Sequence, residues 1–403
     1  MAAALKSVVL ATPRHGGDDP LDWLCLIRSR RVGAVTFHKL VAEHGSVKAA
    51  LAALPDIARA AGVEGYTTCP PAVAQHELNQ ARQAGAVMLR WGEAIYPQAL
   101  MDLADAPPFL WAQGDVTLLS RPMVALVGAR NASSLGLRMA RRLSEGLGAA
   151  GLVVVSGLAR GIDAEAHQAA LATGTVAVQA GGVDVIYPVE NTDLAASILA
   201  MGCRISEQPM GMVPQARHFP MRNRIVSGLS RAVVVVEAAA RSGSLITAQT
   251  ALDQGREVMA VPGHPFDARA SGCNILIRDG ATLVRYAPDI LEAMGIARGP
   301  VTANQTASQK ADHRDASPAP SRETPPDAAR ETLPGPHPPR RPLIDISSLH
   351  SRILSRLGPS PLAEDQLIRD LAMPAATVAP ELLTLELEGR IHRQSGGLLS
   401  RLD

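Results

Sequence analysis

Seven short apolar runs recur between Val124 and Val284, each followed within three residues by glycine, serine or a charged residue and then by a stretch with helical spacing. They are Val124–Val127, Leu152–Val155, Thr175–Val178, Arg204–Ser206, Ala232–Val236, Glu257–Val261 and Ala281–Val284. Strands this apolar need cover on both faces, and strands that alternate with helices pair in parallel through crossover connections. The pattern therefore predicts an α/β domain over residues 72–297, a Rossmann-like doubly wound parallel sheet. Its strand-to-helix turns gather at one edge, so ligand chemistry is sought there.

Two smaller modules flank that domain. Residues 1–66 contain short helices between Pro20 and Ala61, with apolar spacing at Leu21, Leu24 and Ile27 and again at Phe37, Leu40 and Val41. Residues 298–346 hold ten of the chain's thirty prolines and show no apolar period, which predicts a linker. Residues 347–403 resume order as three helices (Leu349–Leu357, Ala363–Leu371, Ala375–Glu388) and a hairpin turning at Gly396-Gly397, the layout of a winged helix. No apolar run approaches the ~20 residues a membrane span needs, and Met1 to Pro20 lacks the pattern of a secretory signal, so a cytoplasmic, membrane-free protein is expected. Cys25, Cys69, Cys203 and Cys273 are scattered without a C-x-x-C pair, so neither a metal site nor a disulfide framework is expected.

Net charge is only +1, and its distribution says more than its sum. Of 39 basic residues 35 are arginine, and no lysine lies between Ala49 and Gln309, which excludes a Walker-A loop there. Any phosphate held by this domain is held by guanidinium groups and backbone amides. Two stretches carry arginines and no acid at all: Val116 to Ser144, with five, and Gln208 to Val236, with four.

Some of the candidate ligand residues lie within these stretches and the rest in the turns after other strands. The first strand runs into Gly128-Ala129-Arg130 and a helix that Ser133 or Ser134 can cap, an anion cradle in outline. G-x-G-x-x-G is missing, so a dinucleotide cofactor is not expected. The second strand gives Ser156-Gly157 and Arg160, a second cradle. Asp163, Glu165 and His167 follow it, read either as groups for acid-base or metal chemistry or, more simply, as Asp163 capping the helix and bonding His167 one turn on. The most informative stretch holds Arg217, Phe219, Arg222, Asn223 and Arg224: guanidinium groups for phosphates and an aromatic face for a base, the minimal kit for single-stranded nucleic acid. A core phenylalanine with a solvated basic flank is the alternative. Ser242, Gly243 and Ser244 open a helix and form a third cradle.

In order, V-G-A-R-x-A-S, S-G-L-A-R-G-I-D-x-x-A-H, F-P-x-R-N-R-I-V-S-G-L-S, E-A-x-x-R-S-G-S-L-I-T-A, G-R-E-V-x-A-V-P-G and G-C-N-x-L-I-R-D-G-A closely resemble the DprA/Smf family of DNA-processing proteins over residues 72–295. The resemblance implies an extended Rossmann domain that binds single-stranded DNA without sequence preference and dimerises. It also implies help in loading the RecA recombinase onto incoming DNA during natural transformation; the leading reading is a non-enzymatic protein without a cofactor. It makes Gly128 and Arg130 phosphate ligands, places Arg217 at a basic position before F-P, and has Phe219 stack on a base. The N-terminal segment resembles that family's sterile-alpha-motif-like helical module, and the C-terminal segment its winged helix. From Ser347 to Asp403 there are six arginines against seven acids, a poor composition for reading a duplex, so a protein-contact or regulatory role is expected for that module. The enzymatic alternative is a nucleotide hydrolase in which Asp163, Glu237 or His167 activates water.

Overall fold

In the computed structural model of the chain, residues 19–296, 346–394 and 397–402 are described. The expected linker lies outside them except for Ile346, and so does Gly396 of the expected hairpin turn.

Four helices come first: α1 (Pro20–Arg28), α2 (Ala34–His44), α3 (Val47–Ala60) and α4 (Pro71–Gln83). Asp19 starts α1 by accepting from the Leu21 amide at 2.9 Å, with Pro20 at the first helical position, where its missing N–H is not needed. Trp23 and Phe37 meet at 5.1 Å between ring centroids and anchor a core with Leu26, Leu40 and Val47. This bundle does not end at residue 66. Leu24, Cys25, Ala74 and Ala81 bury against Phe109 and Trp111 of the sheet, and Glu77 ties the seam by pairing with Arg28 and accepting from Trp111 Nε1, both at 2.8 Å.

The sheet and its helices follow: β1 (Val87–Arg90), α5 (Gln98–Met101), β2 (Phe109–Gly114), β3 (Met123–Val127), α6 (Ser134–Ala149), β4 (Val153–Ser156), α7 (Ile162–Ala170), β5 (Thr175–Val178), α8 (Thr192–Met201), β6 (Cys203–Ser206), α9 (His218–Leu229), β7 (Ala232–Val235), α10 (Gly243–Asp253), β8 (Glu257–Ala260), α11 (Ser271–Arg278), β9 (Thr282–Leu283) and α12 (Ala287–Ala293). The nine strands run in the order β1-β2-β6-β5-β4-β3-β7-β8-β9. From β6 to β9 every pairing is parallel, whereas β1 and β2 join antiparallel. The seven expected strands are all present, in a doubly wound α/β sheet. Along β3, Ala125 and Val127 enter one core and Val124 and Leu126 the other, with helices covering both faces. At the far edge, last in the strand order, β9 has only two residues, both exposed. Sequence reasoning passed over β1 and β2. Neither belongs to the parallel βα alternation: β2 joins β6 antiparallel, and β1 joins the sheet only through β2.

The C-terminal module has its own core of Leu349, Ile353, Leu367, Leu382, Leu385 and Leu399. It comprises α13 (Ile346–Arg356), β10 (Leu362–Ala363), α14 (Glu364–Leu371), α15 (Ala375–Leu387), β11 (Ile391–Gln394) and β12 (Leu398–Arg401), the strands paired as β10-β12-β11. This is a winged helix. Among the described residues no helix is long and apolar enough to cross a membrane.

Candidate nucleic-acid interface

β3 is the strand from which the chain winds outward in both directions, through β4, β5 and β6 to one side and β7, β8 and β9 to the other. Loops leaving the carboxyl ends of β3 and β7 must therefore part, and a crevice opens between them. Its volume is about 1290 Å³, and Arg130, Phe219, Arg222, Asn223, Arg241 and the turn Ser242–Ser244 line it.

At its centre the Arg130 guanidinium lies 5.1 Å from the centroid of the Phe219 ring, a cation–π contact. The ring is half-buried, and its other neighbour is Tyr187 at 5.8 Å. Phe219 is thus not a core phenylalanine: it stands at the junction of the main crevice and a smaller one of about 280 Å³ that Gly157 and Arg160 line. Arg160 stands exposed on that outer rim, 3.6 Å from Glu190.

Beneath lies Arg222, buried, lining the crevice and with no hydrogen-bond partner for its Nε among the described residues. A guanidinium in this position needs an anion, because an unsatisfied buried charge is strongly destabilising. Gly157 makes the space for it: a Cβ there would stand 1.2 Å from Arg222 Nη1. The Asp163 carboxylate supplies part of the counter-charge while accepting from the amides of Gly157 at 3.1 Å and Ala159 at 3.4 Å. Burial pushes that carboxyl above the usual range, and Arg222 pulls it back.

Two of the three expected cradles are filled by the protein itself. At the start of α6, Glu237 reaches across from the end of β7 and accepts from Ser133 N at 3.0 Å and Ser133 Oγ at 2.5 Å. Ala129 N donates to the Glu237 carbonyl at 2.6 Å, and a Cβ on Gly128 would meet Ile162 and that same carbonyl. Gly128 and Ala129 border the crevice, but the glycine answers to packing and the amide is occupied. In the turn after β4, Asp163 holds two amides and His167 Nε2 accepts from Leu158 N at 3.3 Å. The other His167 nitrogen meets Thr175 Oγ1 at 2.6 Å; that hydroxyl donates to the Val154 carbonyl, so Nδ1 carries the proton. Burial and the charge of Arg222 lower the His167 pKa to about 3. Asp163 therefore caps amides without bonding His167, and neither His167 nor Glu237 is placed to activate water. The third cradle is open. Ser242 Oγ accepts from Ser244 N at 3.4 Å, and a Cβ on Gly243 would meet nothing within 4 Å.

Three further expectations are corrected. Ser156 is fully buried and donates to the Leu126 carbonyl at 2.7 Å, which ties β4 to β3. Arg224 points away from the crevice, pairing with Glu207 and donating to the Asp105 carbonyl at 2.7 Å. Arg217 precedes α9, exposed, with Nε on His218 Nε2 at 3.2 Å and outside both crevices. Sequence reasoning in turn missed Tyr187 and Phe266. The latter is 78% exposed and lines the crevice just past the carboxyl end of β8, the position that could have flagged it.

A family model described as DNA recombination-mediator protein A matches residues 87–295, a DprA-like N-terminal HHH domain matches 17–80, and a DprA winged helix domain matches 336–397. DNA processing protein DprA of Bacillus subtilis is 47% identical over 216 residues, which cover 53% of this chain and 73% of that protein. Protein Smf of Synechocystis is 33% identical over 334 residues, covering 79% and 81%. The X-ray structure of DNA processing protein A from Streptococcus pneumoniae superposes with a TM-score of 0.54 at 36% identity, over 70% of this chain and 95% of that one. Together with the crevice at the sheet's switch point, these matches show that the chain belongs to the DprA/Smf family of DNA-processing proteins.

Proposed function

We propose that this protein binds single-stranded DNA in the crevice, without sequence preference, and as a homodimer in the cytoplasm hands the strand to a RecA-type recombinase during DNA uptake. The observation that carries the binding step is the stacked pair of Arg130 and Phe219 above the buried Arg222 guanidinium. A ring face tolerates any base, and guanidinium groups read phosphate, so the kit is indifferent to sequence. The recombinase step has the support of the matched family's description as a recombination mediator.

The test is fluorescence anisotropy of labelled oligo-dT and of duplex of equal length, each titrated with salt. Phe219→Ala is expected to weaken oligo-dT binding by about 1–3 kcal/mol, the contribution of one stacked base. Arg130→Ala should lower the salt slope by about 0.7, one single-strand phosphate. Unchanged binding in both variants would overturn the site.

The hydrolase reading retains one residue: Asp163 lines the crevice, although its Oδ2 is committed to amides. Release of free base from nucleoside monophosphates, abolished by Asp163→Asn, would establish it.

A further inference from the structure

The winged helix is not a remote appendage: it is bonded to the crevice at two points. Arg269, in the loop after β8, donates to the carbonyls of Ser355 at 2.6 Å, in the last turn of α13, and of Leu357 at 2.7 Å, just beyond its end. A cation suits that end of a helix, where carbonyls lack internal partners. Asp267 fixes Arg269 from behind at 3.1 Å, and Gly358 packs so closely that a Cβ there would come within 2.9 Å of both side chains. From the opposite rim, Arg356 donates to the Ala132 carbonyl at 2.9 Å, within the turn that presents Arg130.

This docking aims selected side chains. The module is acidic as a whole, and Arg393 is consumed inside it, paired with both Glu364 and Glu386. Arg390 and Arg401 instead line the same crevice as Arg130. Arg390 is about half exposed and no closer than 3.7 Å to Glu388. Arg401 is exposed, while its backbone N–H is anchored at 2.8 Å on the carbonyl of Gly358, the docking residue. The acids that line the crevice are Asp163 and Asp267, already engaged with amides and with Arg269. At about 1290 Å³ the space exceeds the roughly 300–1,000 Å³ of a small-molecule pocket and suits several nucleotides.

We propose that the winged helix forms the second wall of the single-strand site, with Arg390 and Arg401 binding backbone phosphates of the strand whose base stacks on Phe219. The module's contribution to nucleic-acid binding is then made inside this composite groove and not as a separate duplex reader. This replaces the protein-contact or regulatory role suggested by its charge alone, and it rests on the single-strand reading above.

The test uses the full chain and oligo-dT of increasing length. Arg390→Ala with Arg401→Ala should lower the salt slope by about 1.4, two single-strand phosphates, and weaken low-salt binding about tenfold. The loss should appear only with oligonucleotides long enough to span both walls, and the double lysine variant should restore most of it. Arg369→Ala, an exposed charge change on the same module outside the crevice, is the control. Melting temperature is followed for every variant. Binding by the double alanine variant equal to that of the Arg369→Ala control, or tighter than that of the parent, overturns the composite site while Arg130→Ala still weakens binding. If Arg130→Ala and Phe219→Ala are also without effect, the single-strand reading fails with it.

Discussion

The turns after β3 and β7 face each other across one crevice, and both look like anion cradles in sequence, yet they end in opposite states. In the first, Gly136 leaves room for a carboxylate, a Cβ there standing 2.5 Å from Glu237 Oε2, and Ser133 gives that carboxylate both its amide and its hydroxyl. In the second, Ser242 and Ser244 share a bond at 2.7 Å and the Gly243 position is open. The turn after β4 resembles the first, since Asp163 and His167 hold its amides. The lesson is that a small-residue turn at a helix N-terminus is left open to an anion only where the chain has not already placed a carboxylate or other strong acceptor on its amides.

The comparison can be broken in three places. Glu237→Ala strips the first turn of its internal anion and leaves buried donors unsatisfied, so unfolding in denaturant should show a loss of about 2–3 kcal/mol. A loss near zero would mean that this turn, too, can be left open. The second concerns pH. His167 titrates near 6.5 when unfolded and at about 3 when folded. Between those values the unfolded chain binds the extra proton, so this group's contribution makes stability fall as pH falls, by about 1.4 kcal/mol per unit. Asp163 and Glu237, whose folded carboxyls are raised, contribute in the opposite sense. The readout is therefore the difference between the parent and His167→Gln, which should shrink steadily below pH 6.5; a pH-independent difference would remove His167 from the account. The smallest effect is the most diagnostic. Ser133→Ala should cost about 1 kcal/mol of stability, the ordinary value of a helix cap, and leave oligo-dT binding unchanged. Ser242→Ala removes a longer cap bond, from Ser244 N at 3.4 Å, so it should cost less stability than Ser133→Ala while weakening oligo-dT severalfold. Equal effects of the two variants on binding would abolish the distinction.

Much of this was legible in the chain. Strand segments and their turns follow from local patterns, and the acid-free arginine stretches lead directly to Arg130, Phe219 and Arg222. What was illegible is which arginine is committed elsewhere. Arg222 and Arg224 are two residues apart on α9, about 200° around the helix, so they cannot face the same way. One reaches the crevice; the other meets Asp105 and Glu207, 119 and 17 residues distant. Nor could spacing show that Arg390 and Arg401 line the same crevice as Arg130, because they lie far apart in sequence and the bonds of Arg269 and Arg356 tie the two modules together.

By itself, then, the sequence determined the α/β layering, the winged-helix module, the family and the guanidinium-plus-aromatic chemistry, because hydrophobic period, turn residues and motif order are written locally. Only the tertiary structure decided which cradles and which cations remain open to a ligand. That question turns on partners such as Glu237 with Ser133 and Glu207 with Arg224, and hydrogen bonding and burial are settled by what folding places nearby.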